Sequence, residues 1–227
     1  MIRTHFNREL QKLQDELIML GSIVRNAVAQ SVEALLARDR EAAKRIIQHD
    51  REINARKYAI EESCLTLIAT QQPMAGDLRL LAAILEISTE LERIGDYAKG
   101  ISRINLYIGA EPLLKPLPEI PRMAEMAMEM LRRALDAFIT QDVETARQIP
   151  KGDDEVDALY NQVNRALLDL ILQRPDVLDQ ANYLSWVAHN LERAADRVTN
   201  ICERVIYTAT GEFVEFDAEE PLFSGTN

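Results

Sequence analysis

The sequence predicts an all-α fold made of two tandem three-helix bundles related by an internal repeat. Nearly half of the 227 residues are apolar, while glycine and proline are scarce, which is typical of a helical globular protein. A Leu-Glu-Arg-x-x-Asp motif at residues 91–96 also returns one hundred residues later, at 191–196. A repeat of this length is too long for a solenoid and indicates two copies of one bundle-sized unit.

Three helices are expected in the first half. Apolar residues between Leu10 and Leu35 step by three and four, the interval of one buried helical face, and predict a helix over residues 4–37. Asp39 suits the N-cap of a second helix that runs to about Thr70. Pro73 ends that helix, because a residue before proline is disfavoured in the α region. A third helix is expected over residues 75–107.

The second half repeats this pattern after a proline-rich linker at residues 109–121, which holds four of the eight prolines. Asp142 takes the place of Asp39, and Pro175 takes the place of Pro73. Pro150 falls inside the fifth helix and should kink or split it. The three predicted helices cover residues 122–140, about 142–173 and 180–209.

The chain therefore divides into a first bundle at residues 1–110, a second bundle at 119–210 and an acidic tail at 211–227. The linker predicts that the two bundles are separable by cleavage between residues 114 and 118. The tail has no helical period and is expected to be largely unpacked.

Charge and hydropathy exclude several classes of partner. A net charge of −11 argues against nucleic acid and against unaided binding to an anionic membrane surface. The sequence has no run of 18 apolar residues and no apolar signal segment at its start, which predicts a cytoplasmic protein that meets membranes only through partners. Cys64 and Cys202 lie in apolar helical surroundings and are expected to be reduced core residues.

Each copy of the motif carries a glutamate and an aspartate four residues apart. These pairs are Glu92 with Asp96, and Glu192 with Asp196. On a helix this spacing places both carboxylates on one face, with Cβ atoms roughly 6 Å apart. Their repulsion predicts a cation beside each pair, either a basic side chain such as Arg93 or Lys57, or a metal ion.

Each half also contains a second polar pair. This pair lies level with the glutamate–aspartate pair when the half folds as an antiparallel hairpin. The combined sets are Asp50, Asn54, Glu92 and Asp96 in the first half, and Asp153, Asp157, Glu192 and Asp196 in the second. Carboxylate and amide oxygens suit Mg²⁺, Ca²⁺, Mn²⁺ or iron. Neutralisation by basic residues or solvent is the alternative, and His189 is either a surface histidine or an additional ligand.

The two motifs, together with Gln72-Pro73 and Asp77-Leu78-Arg79, resemble the PhoU family of phosphate-uptake regulators over roughly residues 5–210. The resemblance implies two three-helix bundles related by a pseudo-twofold. It also implies a cytoplasmic negative regulator of phosphate-starvation signalling. Such a protein acts between the ATP-binding subunit of a phosphate ABC transporter and a sensor histidine kinase.

The resemblance further implies metal binding, because some members carry multinuclear clusters on these motifs. The ions would be divalent or ferric (Mg, Mn, Fe or Zn), held by Asp50, Glu92 and Asp96 in one half and by all four second-half carboxylates in the other. Asn54 stands where a carboxylate is expected, which predicts a weaker first site. Asp77 and Arg79 are the expected partner contacts, and the second half lacks them, since Gln180 and Ala181 follow Asp179.

The sequence bears on three possible functions. A non-catalytic adaptor is favoured, and long helices with broad faces also suggest a homodimer. A di-metal enzyme needs Glu-x-x-His pairs, and no glutamate stands three residues before any of the three histidines. A metal-binding helical bundle with only a structural or docking role is the alternative. The sequence has no Gly-rich phosphate loop, so nothing favours kinase or hydrolase chemistry.

Overall fold

The computed structural model of this chain describes residues 2–109, 112–114 and 117–216. Its helices are α1 (Ile2–Ala37), α2 (Arg40–Gln71), α3 (Ala75–Ile108), α4 (Glu119–Thr140), α5 (Val143–Gln148), α6 (Lys151–Gln173) and α7 (Leu178–Thr210), with a 3₁₀ turn at Pro175–Val177. These described ranges contain no strand, so the all-α prediction is confirmed. Parts of the predicted linker, at residues 110–111 and 115–116, lie outside them.

Helices α1 to α3 form the first bundle, and α4 to α7 form the second. Pro150 divides the predicted fifth helix in two, because α5 ends at Gln148 and α6 begins at Lys151. Together these two pieces take the place of α2. The split is one of the two outcomes that the position of Pro150 predicted.

The same corner begins the second helical segment of each half. The carboxylates of Asp39 and Asp142 accept hydrogen bonds from the backbone N–H groups of Ala42 (2.8 Å) and Thr145 (3.0 Å). The residues before them, Arg38 and Gln141, have φ angles of 59° and 54°. Left-handed backbone is uncommon outside glycine. The internal repeat therefore extends to the backbone conformation.

Asn105 of α3 holds the first of these corners in place. Its buried side-chain amide donates to the carbonyl of Ala34 (2.9 Å) and to that of Asp39 (3.2 Å). The guanidinium of Arg38 donates to the side-chain oxygen of Asn105 (3.5 Å) and to the Gly109 carbonyl. Asn105 and Arg38 therefore connect the end of α1, the start of α2 and the end of α3.

One continuous hydrophobic core runs through both bundles. Helices α3 and α7 lie at its centre and pack against each other, while α1 contacts both α3 and α4. Fully buried residues from every long helix belong to a single cluster, for example Leu17, Ile53, Leu91, Leu131, Val163 and Val198. Cleavage of the linker is therefore expected to leave the two fragments associated, instead of releasing two independent bundles.

Close contact between α1 and α4 requires a glycine at position 21. A Cβ atom built there would lie 2.2 Å from Cδ1 of Leu135, well inside van der Waals contact. Leu135 is itself buried. The absent side chain of Gly21 therefore lets the two bundles approach each other at this point.

The expectation of an unpacked tail is wrong for Val214 and Phe216, which pack against the core, while residues 211–213 and 215 are exposed. The ring of Phe213 stacks on Tyr207 with a centroid distance of 4.3 Å. The backbone N–H of Phe216 donates to Oε1 of Glu203 (3.1 Å), and its side chain packs against the core. Apolar residues within the acidic segment provide this packing. Residues 217–227 of the predicted tail lie outside the described residues.

Two further predictions concern cysteine and the membrane. Cys64 and Cys202 are buried and free, as expected. Burial raises the pKa of each thiol to about 12, which keeps both protonated and unreactive at neutral pH. In the described residues, no helix is long and apolar enough to cross a membrane.

We expect Gly21→Ala to lower the free energy of unfolding by up to about 2 kcal/mol. Overpacking costs about 1–3 kcal/mol, and alanine recovers about 1 kcal/mol through helix propensity. Chemical denaturation monitored by circular dichroism measures the change. Adding Leu135→Ala should make the Gly21→Ala change less costly, because the clashing methyl group is gone.

Gly76→Ala in α3 is the matched control, because a Cβ atom there meets nothing within 4 Å. That variant should be neutral or slightly more stable than the wild type. Equal destabilisation by both substitutions would contradict the close contact between α1 and α4.

Candidate cation sites at the repeated motif

The predicted first-half residues meet between α2 and α3. Asp50 and Asn54 lie on α2, while Glu92 and Asp96 lie on α3. Asp50 is buried, and the side-chain amide of Asn54 donates to the Asp50 carbonyl (3.0 Å) and to Asp50 Oδ2 (3.4 Å). The antiparallel hairpin therefore brings the two polar pairs level, as the spacing around Pro73 indicated.

Lys99 provides the cation of the first site. Its Nζ lies 2.6 Å from Asp50 Oδ2 and 3.3 Å from Asp96 Oδ1, so it links α2 to α3. The hydrogen bond with Asp50, followed by that with Asp96, raises the pKa of Lys99 against the opposing effect of burial. The sequence interpretation missed this residue, although its spacing three residues after Asp96 places it on the same helical face.

The two basic residues that the sequence suggested have other partners. Lys57 pairs with Glu61 (2.8 Å), and Arg93 pairs with Glu90 (3.0 Å). Both act on Glu92 only as nearby charges. Burial and the neighbouring Asp96 raise the pKa of Glu92, and Lys57 opposes them.

The second-half set lies between α6 and α7. Asp153 is in the first turn of α6 with Asp157 four residues later, and Glu192 and Asp196 lie on α7. Thr199 stands where the first half has Lys99. It is buried, and its hydroxyl donates to the Asp196 carbonyl (2.7 Å), so this position brings no charge.

Glu192 is the strongly perturbed group of the second set. Burial raises its pKa to about 7, with further contributions from the charges of Asp196 and Asp157. Its buried Oε2 has no hydrogen-bond partner among the described residues. Nδ1 of His189 lies 3.2 Å from that oxygen, without hydrogen-bond alignment. Arg193 pairs with Asp196 (2.6 Å) and only partly offsets the negative charge.

The two sets therefore differ as candidate metal sites. In the first, an ammonium group already contacts two of the expected ligands. In the second, the charges of Asp196 and Asp157 lie beside the buried Glu192, which favours a cation. Each set leaves one buried carboxylate oxygen without a hydrogen-bond partner among the described residues, Asp50 Oδ1 in the first and Glu192 Oε2 in the second. As the side chains stand, no three histidine, cysteine, aspartate or glutamate residues in the described part of the chain are arranged to hold a metal ion.

The two expected partner contacts engage other parts of the molecule. Asp77 pairs with Arg3 of α1, with Oδ1 and Nη2 3.2 Å apart. Arg79 is half-buried, and its guanidinium carbon lies 3.6 Å from the position of a Cβ atom at Gly211. Gly211 caps the C-terminus of α7, where a positive charge is favourable. Both residues thus have contacts within the molecule, and their role in partner binding stays a prediction. Leu78 between them is the exposed member of the motif.

These features define a helical protein built from two copies of one three-helix unit, with a polar site in each copy. The PhoU domain family matches the chain twice, at residues 17–104 and 120–205. The chain belongs to the PhoU family. The position of the repeat and the resemblance inferred from the sequence are both confirmed.

Curated relatives match nearly the whole chain. A phosphate-specific transport system accessory protein PhoU homolog from Aquifex aeolicus is 36% identical over 208 residues, which cover 92% of this chain and 94% of the relative. The accessory protein PhoU of Escherichia coli is 32% identical over 211 residues, covering 93% of this chain and 88% of the relative.

Two crystal structures share the fold. The phosphate transport system regulatory protein PhoU from Streptococcus pneumoniae superposes with a TM-score of 0.87 at 30% identity, over 93% of this chain and all of the other. PhoU from Pseudomonas aeruginosa superposes with a TM-score of 0.85 at 31% identity, over 91% of this chain and all of the other. The predicted pair of bundles is confirmed.

In metal-free protein, we expect the free energy of unfolding to fall as pH rises from about 4.5 to 7. The folded state holds the proton of Glu192 more tightly than the unfolded state does, so its contribution is complete below pH 4.5 and is lost through about pH 7. Thermal melts in a chelating buffer between pH 4 and 8 measure this trend.

Glu192→Gln should flatten the pH dependence, whereas Glu62→Gln at an exposed position of α2 should leave it unchanged. The assignment is wrong if the glutamine variant of Glu192 keeps the full wild-type slope.

Proposed function

We propose that this protein is a negative regulator of phosphate uptake and of phosphate-starvation signalling. It works in the cytoplasm as a non-catalytic adaptor between the ATP-binding subunit of a phosphate ABC transporter and a sensor histidine kinase. The observation that carries the proposal is the match, over 92% and 93% of this chain, to proteins named as accessory to the phosphate-specific transport system.

The architecture suits an adaptor. The 34 residues of α3 span roughly 50 Å at 1.5 Å per residue. Because α3 and α7 pack in the middle of one core, the two ends of the molecule are held at a fixed separation. Such a scaffold can bind two partners at once, or two copies of one.

We expect the protein to form a homodimer, which light scattering can test.

The ends of the two hairpins are the contact surfaces we propose. Leu78, in the first turn of α3, is 43% exposed, and Leu178, at the start of α7, is 53% exposed. Counted from the two Leu-Glu-Arg motifs, these leucines occupy equivalent positions. Met74 lies one turn before the first and is 74% exposed. Leu168 lines the same groove as the second and is 56% exposed. Each hairpin end therefore presents apolar surface to a partner.

Leu78→Glu and Leu178→Glu should each weaken binding to one partner about tenfold, because burying a glutamate carboxylate at an apolar contact is unfavourable. Melting should change little, since both side chains are exposed. Calorimetry with the purified ATP-binding subunit and with the cytoplasmic part of the kinase measures the effect. Comparing the two variants also shows which half binds which partner.

Leu36→Glu is the matched control, because Leu36 is 43% exposed like Leu78 but lies at the C-terminal end of α1. It should leave binding unchanged. Wild-type affinity for both partners in both hairpin variants would contradict contact through the hairpin ends.

Deletion of the gene tests the regulatory role. A strain without the protein should express its phosphate-starvation genes even when phosphate is plentiful, and the wild-type gene should restore repression. If those genes stay silent in the deletion strain, the regulatory proposal fails, and a structural or docking role becomes the better explanation.

We also propose that the second-half set binds a divalent or ferric ion (Mg, Mn, Fe or Zn). Its ligands are Asp153, Asp157, Glu192 and Asp196. The support is electrostatic, since Glu192 is buried beside Asp196 and Asp157 and has an oxygen that no described residue hydrogen-bonds. A bound cation would relieve that repulsion and join α6 to α7.

Asp157→Asn and Glu192→Gln should each reduce the metal content of the purified protein and lower the increase in melting temperature caused by added metal. Elemental analysis and thermal melts measure both effects. Asp169→Asn is the control, because Asp169 is an exposed aspartate of the same helix. Equal metal content in all three variants would exclude the second-half site.

A further inference from the structure

We propose that Lys99 replaces the metal ion in the first of the two repeated sites, so that only the second site of this chain responds to metal. The ammonium group lies between one residue from each helix of the hairpin, Asp50 on α2 and Asp96 on α3. A metal ion at the motif would link the same two helices through the same two carboxylates. The inference goes beyond the proposed function, since it concerns how the two halves differ.

The contact distances leave no room for both cations on Oδ2 of Asp50. Nζ of Lys99 is 2.6 Å from Asp50 Oδ2, and metal–oxygen bonds are about 2.0–2.6 Å long. An ion bound to that oxygen and to Asp96 would overlap the ammonium group and repel it. A metal could bind there only by displacing Lys99, and an ion on the other oxygen of Asp50 would be repelled by the adjacent ammonium charge.

Lys99 is needed as a counter-charge because its partner carboxylate is buried. Asp50 is buried, and its other oxygen, Oδ1, has no hydrogen-bond partner among the described residues. A buried carboxylate that loses its counter-charge is strongly destabilising. Lys99 belongs to the chain and is present at any metal concentration, so the connection between α2 and α3 does not depend on metal.

The second ligand position on the outer helix also differs between the halves. Asn54 is neutral and uses its amide group as a donor to Asp50, whereas the equivalent second-half residue is Asp157. The first set therefore contains three carboxylates and an ammonium group, while the second contains four carboxylates. Thr199, the counterpart of Lys99, carries no charge. Both differences lower the need for metal in the first half and raise it in the second.

The consequence is a division of roles between two similar hairpins. The α2–α3 hairpin is joined at all times by an internal ion pair. The α6–α7 hairpin, where Arg193 pairs with Asp196 of the same helix, would gain a metal link only when metal is available. A metal-dependent change in this protein should therefore be confined to the second bundle.

The test isolates the first site in the full-length chain. The parent protein carries Asp157→Asn and Glu192→Gln, and the test variants add Lys99→Thr, which copies the second half, or Lys99→Met, which keeps the chain length without the charge. Titration calorimetry and elemental analysis with Mn²⁺ give the metal content, and circular dichroism gives the melting temperature with and without Mn²⁺.

We expect the parent to bind no Mn²⁺ at the first site and Lys99→Thr to gain one equivalent. Without metal, the Lys99→Thr variant should melt at a lower temperature. Mn²⁺ at about one hundred times its Kd should raise that temperature by roughly 5–10 °C. Adding Asp50→Asn should abolish both the binding and the rescue.

Two results would overturn the inference. One is Mn²⁺ binding by the parent that Asp50→Asn removes, because it would place a metal beside an intact Lys99. The other is a folded Lys99 variant, threonine or methionine, that binds no Mn²⁺, because the site would then have no affinity for metal in any state. The first measurement needs no substitution of Lys99, so it decides the question even if both Lys99 variants fail to fold.

Discussion

The antiparallel contact between α3 and α7 is the interaction on which the rest of the molecule depends. It joins the two halves through pairs of equivalent positions. Nδ2 of Asn200 lies 3.5 Å from Oε2 of Glu90, and a Cβ atom at Gly100 would lie 3.2 Å from Oδ1 of Asn190. The internal repeat relates these two contacts to each other, because position 90 corresponds to 190 and position 100 corresponds to 200. The packing is therefore close to twofold symmetric.

The polar sites follow from this arrangement. The Glu-x-x-x-Asp motifs lie on the two central helices, while the complementary residues come from α2 and α6. A cation in either set joins an outer helix to a central one. A change of the bound cation would change how firmly that outer helix is held, while the contact between α3 and α7 persists. The proposed metal site of the second half could therefore act separately from the first half.

The sequence predicted the elements whose signals are local. The N-caps at Asp39 and Asp142, the break at Pro150 and the level pairing of the carboxylates all followed from spacing and residue type. It missed what depends on neighbouring helices. Whether Lys99 turns toward Asp50 or toward solvent is decided by the position of α2, and the single shared core is decided by the packing of α3 against α7 and of α1 against α4. Neither leaves a periodic pattern in the chain.

One contact near the symmetry axis shows what tandem duplication permits. Position 97 and its equivalent meet each other, since Nε of Arg197 donates to the hydroxyl of Tyr97 (3.3 Å). In a homodimer of identical single-repeat chains, such a residue would face its own copy, and an arginine there would meet another arginine. Joining the two copies in one chain removes the requirement for self-complementarity. The axis can then hold an arginine opposite a tyrosine, whereas two identical subunits would place the same residue type on both sides.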